Sequence, residues 1–152
     1  MLHVALCLSL LICIDINLGE GPDGFDLAQS IRKSSAEIAV VFLTAQPDPR
    51  FSGKGPSAVV KNAVYLNKNL LTSTNTLLDA LEAALVERNT RDYRHDQLVD
   101  RPLGQLSNTQ VQVLRLIADG LTNQQIADAR KRSIAATESA ITRTLEALGI
   151  PK

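Results

Sequence analysis

At 152 residues, 45% hydrophobic and 21% charged, the chain has the composition of a globular protein with room for one ordinary domain or two small ones, which excludes a disordered or low-complexity chain. Its formal net charge is zero, so it is neither a polycation nor a polyanion as a whole. The charge is uneven, however: residues 1–86 carry six basic against eight acidic side chains and residues 103–152 six against four, a difference in sign that fits an acidic module tied to a basic one facing nucleic acid.

The opening run MLHVALCLSLLICIDINLGEG imitates a secretory signal, but it has no Lys or Arg before the apolar stretch and no small-x-small cleavage site, and Asp15 interrupts it. It is also too short to span a membrane, so a cytoplasmic protein without a membrane partner is expected. Residues Leu8 to Ile14 are predicted to form a strand buried on both faces, of the continuous apolar kind found in parallel sheets. Cys7 and Cys13 inside that run are expected to act as small buried hydrophobes, not as a disulfide or metal pair. His3 and His95 stand apart without ligand spacing and are expected to be solvated or structural.

A turn-rich loop from Gly19 to Gly24 leads into a predicted helix over Phe25 to Lys33, with Leu27 and Ile31 on one face. A second strand is predicted at Ile38 to Leu43. Gln46 to Pro56 is too rich in Pro and Gly for regular helix, a third strand spans Ala63 to Leu66, and Ser73 or Thr74 caps a helix running through Glu87. Strands alternating with helices predict an α/β parallel sheet. Asp15, Thr44 and Lys68 each follow a strand end, which in such sheets is the ligand-binding edge. A carboxylate, a hydroxyl and an ammonium on one rim suit a phosphoryl group, which the first accepts and the other two hydrogen-bond and neutralise.

Arg88 to Gln105 alternates charges and contains Pro102 and Gly104, so it is predicted to be a linker that begins as a continuation of the preceding helix. The last third, Leu106 to Ile150, predicts three helices. Ser107 with Gln110 and Thr122 with Gln125 form capping boxes, Gly120 stops the first helix, and Ser133 starts the third. Val111, Leu114, Ile117 and Ala118 are expected to share one face of the first helix, and Thr137, Ile141, Leu145 and Leu148 one face of the third. The third helix turns Glu138, Ser139, Thr142, Arg143 and Glu146 outward and is entered from the basic turn Arg130, Lys131, Arg132. This is helix-turn-helix geometry, with the third helix placed for the major groove of double-stranded DNA.

Leu106-Ser107, Val113-Leu114, Gly120, the run Thr122-Asn123-Gln124-Gln125-Ile126-Ala127, Ser133 and Leu148-Gly149-Ile150 together resemble the LuxR-type DNA-binding domain of NarL/FixJ-type response regulators. The first half resembles the receiver domain of the same family: Asp15 in ICIDINLGEG corresponds to the phospho-accepting aspartate, Thr44 in VVFLTA to the switch hydroxyl, Tyr65 to the switch aromatic and Lys68 in AVYLNK to the lysine of the site. The resemblance implies a partial flavodoxin-like (receiver-like) sheet over residues 1–87, a linker at 88–105 and an all-α helix-turn-helix domain at 106–152. It also implies DNA-binding transcription control, dimerisation or pairing with a related regulator, a sensor histidine kinase for intact relatives, and no enzyme activity beyond phosphoryl chemistry.

The chain departs from the family at informative places. Gln110 and Gln112 replace glutamates, Glu138 stands where relatives place a lysine against DNA, and Arg132 where they prefer an aliphatic residue. DNA contacts are therefore expected from Arg130, Lys131, Arg132 and Arg143, with Ser139 and Thr142 near base edges. Residues 1–14 contain no Asp or Glu, whereas a receiver supplies two acidic residues there for Mg2+. Asp15 with Asn17 is expected to leave a Mg2+ site incomplete unless acidic residues missing from the N-terminus are supplied, so no cofactor and no efficient phosphorylation are expected. The first strand of a receiver, the helix after it and the second strand, and the fourth helix of the DNA-binding domain, find no room in the sequence, and a misassigned Met1 is an alternative account. Without the earlier strands, the strand at Leu8 to Ile14 becomes a sheet edge open to pairing. Glu138 and the missing fourth helix favour a competing reading, a protein-interaction module that does not bind DNA and pairs with full-length relatives through its receiver surface or that edge.

Overall fold

The computed structural model describes residues 10–87, 89–101 and 103–151. Three parallel strands, β1 (Leu11–Ile14), β2 (Ala39–Thr44) and β3 (Val64–Asn67), lie side by side in chain order, the order expected for consecutive strands of a flavodoxin-like sheet. Leu8, Ser9, Cys7 and His3 of the predicted first strand and its approach lie outside the described residues. Helix α1 (Gly24–Ser34) connects β1 to β2. Between β2 and β3 the chain makes two short 3-10 turns, Pro49–Ser52 and Pro56–Ala58, as the Pro and Gly content requires. Helix α2 (Thr74–Glu82), capped by Ser73, continues as a π-helical turn to Glu87.

The period-2 alternation of the strands sorts their side chains between two cores. Ile12, Ile14, Val40, Phe42 and Tyr65 meet Phe25, Ala28 and Ile31 of α1 on one face. There the rings of Phe25, Phe42 and Tyr65 stack in sequence with centroids 5.1 and 6.2 Å apart. Leu11, Val41, Val64 and Leu66 meet Leu77, Ala80, Leu81 and Ala84 on the other face. Burial of β1 on both faces does not hold, because Cys13 is exposed. Among the described residues β1 pairs only with β2, and α2 covers the second face over β2 and β3 without reaching Cys13.

The predicted linker is laid along the sheet. Arg94 bridges to Tyr65 in parallel, and His95 Nδ1 accepts a 3.0 Å hydrogen bond from the Asn67 backbone N–H. Burial lowers the His95 pKa, in keeping with a neutral imidazole that accepts through Nδ1. Arg94 pairs with buried Asp96 at 2.7 Å. Arg88 and Pro102 lie outside the described residues.

Helices α3 (Asn108–Ala118), α4 (Asn123–Arg130) and α5 (Ile134–Ala147) form the last third. Both predicted capping boxes form: Ser107 and Gln110 satisfy each other's backbone N–H, as do Thr122 and Gln125. Gly120, at φ 79°, ends α3 in the left-handed conformation that favours glycine. Within α3 the buried pair is Val111 and Val113, and Ala118 is exposed, a correction to the single face drawn from periodicity. The reason is that α3 is covered on two sides: Val111 and Leu114 pack with Phe51, Leu103, Leu106 and Leu148, while Val113 turns toward Ala136, Ala140 and Thr144 of α5. In α5, Thr137 and Thr144 are fully buried; the Thr144 hydroxyl donates to the Ala140 carbonyl at 2.8 Å, and the Thr137 hydroxyl has no partner among the described residues.

Candidate functional site

The rim at the carboxyl edge of the sheet assembles as its residue types predict. Lys68 Nζ donates to Asp15 Oδ2 at 2.6 Å, and the Asn17 backbone N–H donates to Asp15 Oδ1 at 3.2 Å. Partial burial opposes ionisation of Asp15, but the Lys68 hydrogen bond, the Asn17 N–H and the Lys68 charge outweigh it and hold the carboxyl below its ordinary value, with Thr44 adding to the effect. Thr44 is fully buried, its hydroxyl accepting from the Gln46 N–H at 3.1 Å. Tyr65 is also buried and donates to the Gln46 carbonyl at 3.0 Å; burial, with the Asp96 and Asp48 carboxylates nearby, pushes its phenol up. A cavity of about 290 Å³ opens beside these groups, lined by Asp15, Asn17, Thr44, Gln46 and Phe51 among others.

Mg2+ needs several oxygen ligands in near-octahedral geometry. Asp15 is the one carboxylate lining this cavity, one of its oxygens is held by Lys68, and the Asn17 side-chain oxygen turns away to accept from the Gly19 N–H at 3.3 Å. Among the described residues no group of three His, Cys, Asp or Glu side chains could hold a metal ion. The described residues of the rim therefore do not fit Mg2+ by themselves.

The second set of predicted residues divides between two surfaces of the helical unit. Arg130, Arg132 and Arg143 line a cleft of about 400 Å³ together with Ser107, Thr109 and Gln110 at the start of α3. Arg130 Nη1 is buried there without a hydrogen-bond partner among the described residues, and Gln110 Nε2 donates to the Arg143 carbonyl at 3.4 Å across the cleft. The guanidinium groups that line the cleft are suited to anionic oxygens. Lys131 does not line the cleft; it closes α4 in the left-handed conformation at φ 51° and is exposed in the turn. Glu138 and Ser139 are exposed on the outer face of α5, with Thr142 half-buried beside them. The Ser139 hydroxyl is engaged by the Ala135 carbonyl at 3.0 Å, and Arg143 Nε by the Ser139 carbonyl at 3.2 Å.

A third feature joins the two. Asp48, 2% exposed, pairs with Arg50 at 2.7 Å and lies 3.5 Å from Arg101 Nε. Arg50 spends its remaining N–H groups on the Leu103 and Leu106 carbonyls, both at 2.7 Å, and on Asn108 Oδ1 at 3.3 Å. Phe51, next in the chain, packs into the Leu103, Leu106 and Val111 cluster while also lining the rim cavity. Residues 44–51 thus touch the rim at one end and clasp the helical unit at the other. Sequence reasoning missed the clasp. Its one local sign is Asp48-Pro49, an N-cap followed by Pro that starts the 3-10 turn.

Residues 104–146 match the family described as bacterial regulatory proteins, luxR family. This segment is of LuxR type. The match covers the two capping boxes, the basic turn and nearly all of α5, so the LuxR-type unit is the one that the helix signals outline. The Fimbriae Z protein of Salmonella typhimurium is 29% identical over 126 residues, which cover 78% of this chain and 58% of the relative; the chain spans less than two thirds of that protein's length. Among solved structures, two RcsB dimers bound to two parallel DNAs give a TM-score of 0.50 at 20% identity, over 94% of this chain and 70% of theirs. A complex of the two-component response regulator RcsB with DNA gives 0.43 at 21% identity, over 94% and 70%. The first of these likenesses is one of fold, a parallel sheet with helices followed by the LuxR-type unit. No described helix is long and apolar enough to cross a membrane.

Proposed function

We propose that the chain is a DNA-binding transcriptional regulator of response-regulator type, with α5 as the helix that enters the major groove. The observation that carries this reading is the arginine cleft: Arg130 and Arg132, ahead of α5, and Arg143, in its second half, line one cleft. A duplex backbone supplies phosphate oxygens at such a position, and the outer face of α5 remains exposed beside it. The reading is of a binding protein, not an enzyme, working in the cytoplasm as a self-associating regulator whose intact relatives answer to a sensor histidine kinase. Three phosphate contacts give a slope of log affinity on log salt of about −2.7, so raising salt fourfold, from about 50 to about 200 mM, should weaken binding about 40-fold. Fluorescence anisotropy of a mixed-sequence duplex tests this; a flat response or no binding at either salt would reject it.

We also infer that phosphorylation of Asp15 is inefficient in this chain, because one carboxylate, half engaged by Lys68, is a poor seat for Mg2+. Incubation with Mg2+ and acetyl phosphate followed by intact mass should leave the protein without a phosphoryl adduct; a stoichiometric adduct on Asp15 would overturn this. The competing reading, a module that pairs with related regulators without touching DNA, draws on the edge of β1, which among the described residues pairs with β2 alone and where Leu10 and Cys13 are exposed. Salt-independent silence toward DNA, together with self-association, would favour it.

A further inference from the structure

Glu138 looks out of place on a helix meant for DNA, since a carboxylate near phosphates is repulsive. Its position on α5 shows why it need not be near them. At 3.6 residues per turn, Ala135, Glu138, Ser139 and Thr142 fall within about 100° of arc, whereas Arg143 lies about 140° round the helix from Glu138. The arginine cleft is on the Ala136, Ala140 and Arg143 flank, so the carboxylate sits outside it. Glu138 is exposed and makes no ion pair or hydrogen bond to any described residue, although four cations stand within a few positions of it in the chain. It is the fifth residue of α5, within the N-terminal half that a recognition helix presents to base edges.

The neighbouring groups narrow what this face can read. The Ser139 hydroxyl proton is committed to the Ala135 carbonyl, which leaves that oxygen as an acceptor. Ala135 is a methyl group, and Ile134, 44% exposed, adds an apolar edge. The face is thus an unpaired carboxylate set among apolar contacts, with no cation on its central arc. In the major groove a carboxylate has one good counterpart, a base-edge amino donor; cytosine offers N4 as its sole group, whereas adenine places an acceptor, N7, beside its donor. Apolar side chains there suit the thymine methyl.

We propose that Glu138 is a specificity-determining residue that selects a cytosine by accepting a hydrogen bond from its N4 amino group. This rests on the DNA-binding reading above. On this assignment the arginine cleft supplies sequence-independent affinity from one flank of α5 and Glu138 supplies discrimination from the groove-facing arc.

The test is selection of bound duplexes from a random-sequence pool by the full chain and by Glu138→Ala, followed by anisotropy on the enriched sites. Wild-type sites should share a cytosine at one fixed position. Exchanging that C·G pair for T·A should weaken wild-type binding about tenfold and Glu138→Ala binding less than about twofold, with the salt dependence of both proteins unchanged. Sites with no invariant cytosine, or an equal penalty in both proteins, would overturn the assignment and leave the DNA-binding reading standing. Absence of salt-sensitive binding to every duplex would instead remove that reading, and this one with it. Because Glu138 is exposed, equal thermal melting of the two proteins checks that the variant is folded.

Discussion

Replacing Arg50 by Ala is expected to destabilise the protein by about 3–5 kcal/mol, the range for stranding one member of a buried ion pair. Asp48 is 2% exposed and Arg50 13%, and the same guanidinium also answers two backbone carbonyls of the helical unit. Burial raises the cost of the Asp48 charge, but the Arg50 hydrogen bonds, the Arg50 N–H and the Arg50 and Arg101 charges more than offset it, so its carboxyl titrates below the ordinary aspartate value of 3.8. A depressed carboxyl contributes stability that is present above the unfolded-state value and is lost as pH falls through the lower folded-state value. The stability gap between wild type and Arg50→Ala should therefore be full at neutral pH and narrow below about pH 4, where protonation of Asp48 does to the wild type what the substitution does to the variant. Urea unfolding across that pH range measures both effects. A further consequence should appear in the shape of the curves: a single transition in the wild type, and two in the variant, once the sheet half and the helical unit lose their common clasp. A variant as stable as wild type, unfolding in one step, would show that the clasp contributes nothing.

Gly24→Ala is expected to be the most damaging methyl that can be added to the first half. Gly24 begins α1, is buried, and donates its N–H to the Ile16 carbonyl at 2.9 Å. A Cβ there would overlap the Asp15 carbonyl oxygen and lie 2.8 Å from Ile16 Cα and 2.9 Å from Ile14 Cγ2. Two of these three neighbours are backbone atoms that cannot step aside by changing rotamer, so the cost should reach or exceed about 3 kcal/mol, the upper end of the overpacking range. The displaced atoms flank Asp15, and the rim should lose its Lys68 contact along with stability. Gly55→Ala is the natural contrast: its added Cβ would meet only Ser57 Oγ, at 3.8 Å, and its backbone is not left-handed. That variant should keep wild-type stability or gain up to about 1 kcal/mol through the unfolded chain. Equal denaturation midpoints for the two variants would contradict the close fit of α1 on the end of β1.

Much of this architecture was legible because its signals are local. The capping boxes at Ser107 and Thr122 need only a hydroxyl and an amide three residues apart, and both formed. The rim was legible because Asp15, Thr44 and Lys68 each follow an apolar run, and parallel strands bring such ends to one edge. What was not legible depends on distant chain. Arg50 binds the carbonyls of Leu103 and Leu106, 53 and 56 residues away, and a backbone carbonyl leaves no mark in residue identity. Cys13 was expected to be buried because its run is apolar, yet burial is set by what reaches over β1, and α2 does not. Residues 88–105 were expected to be a linker from their alternating charges, but Arg94 and Asp96 neutralise each other, which lets the segment lie against β3.

The placement of the clasp changes where this chain can be cut and joined. A graft that moves residues 104–151 onto another sheet, splicing at the charged segment before Leu103, would carry away the Leu106 carbonyl and the Val111 surface without Arg50 and Phe51, which answer them. The functional seam runs through the loop after β2, about a third of the chain upstream of the apparent boundary. A chimera that transplants residues 44–56 together with residues 101–151 keeps its donors and acceptors matched, and one that respects only the sequence boundary does not.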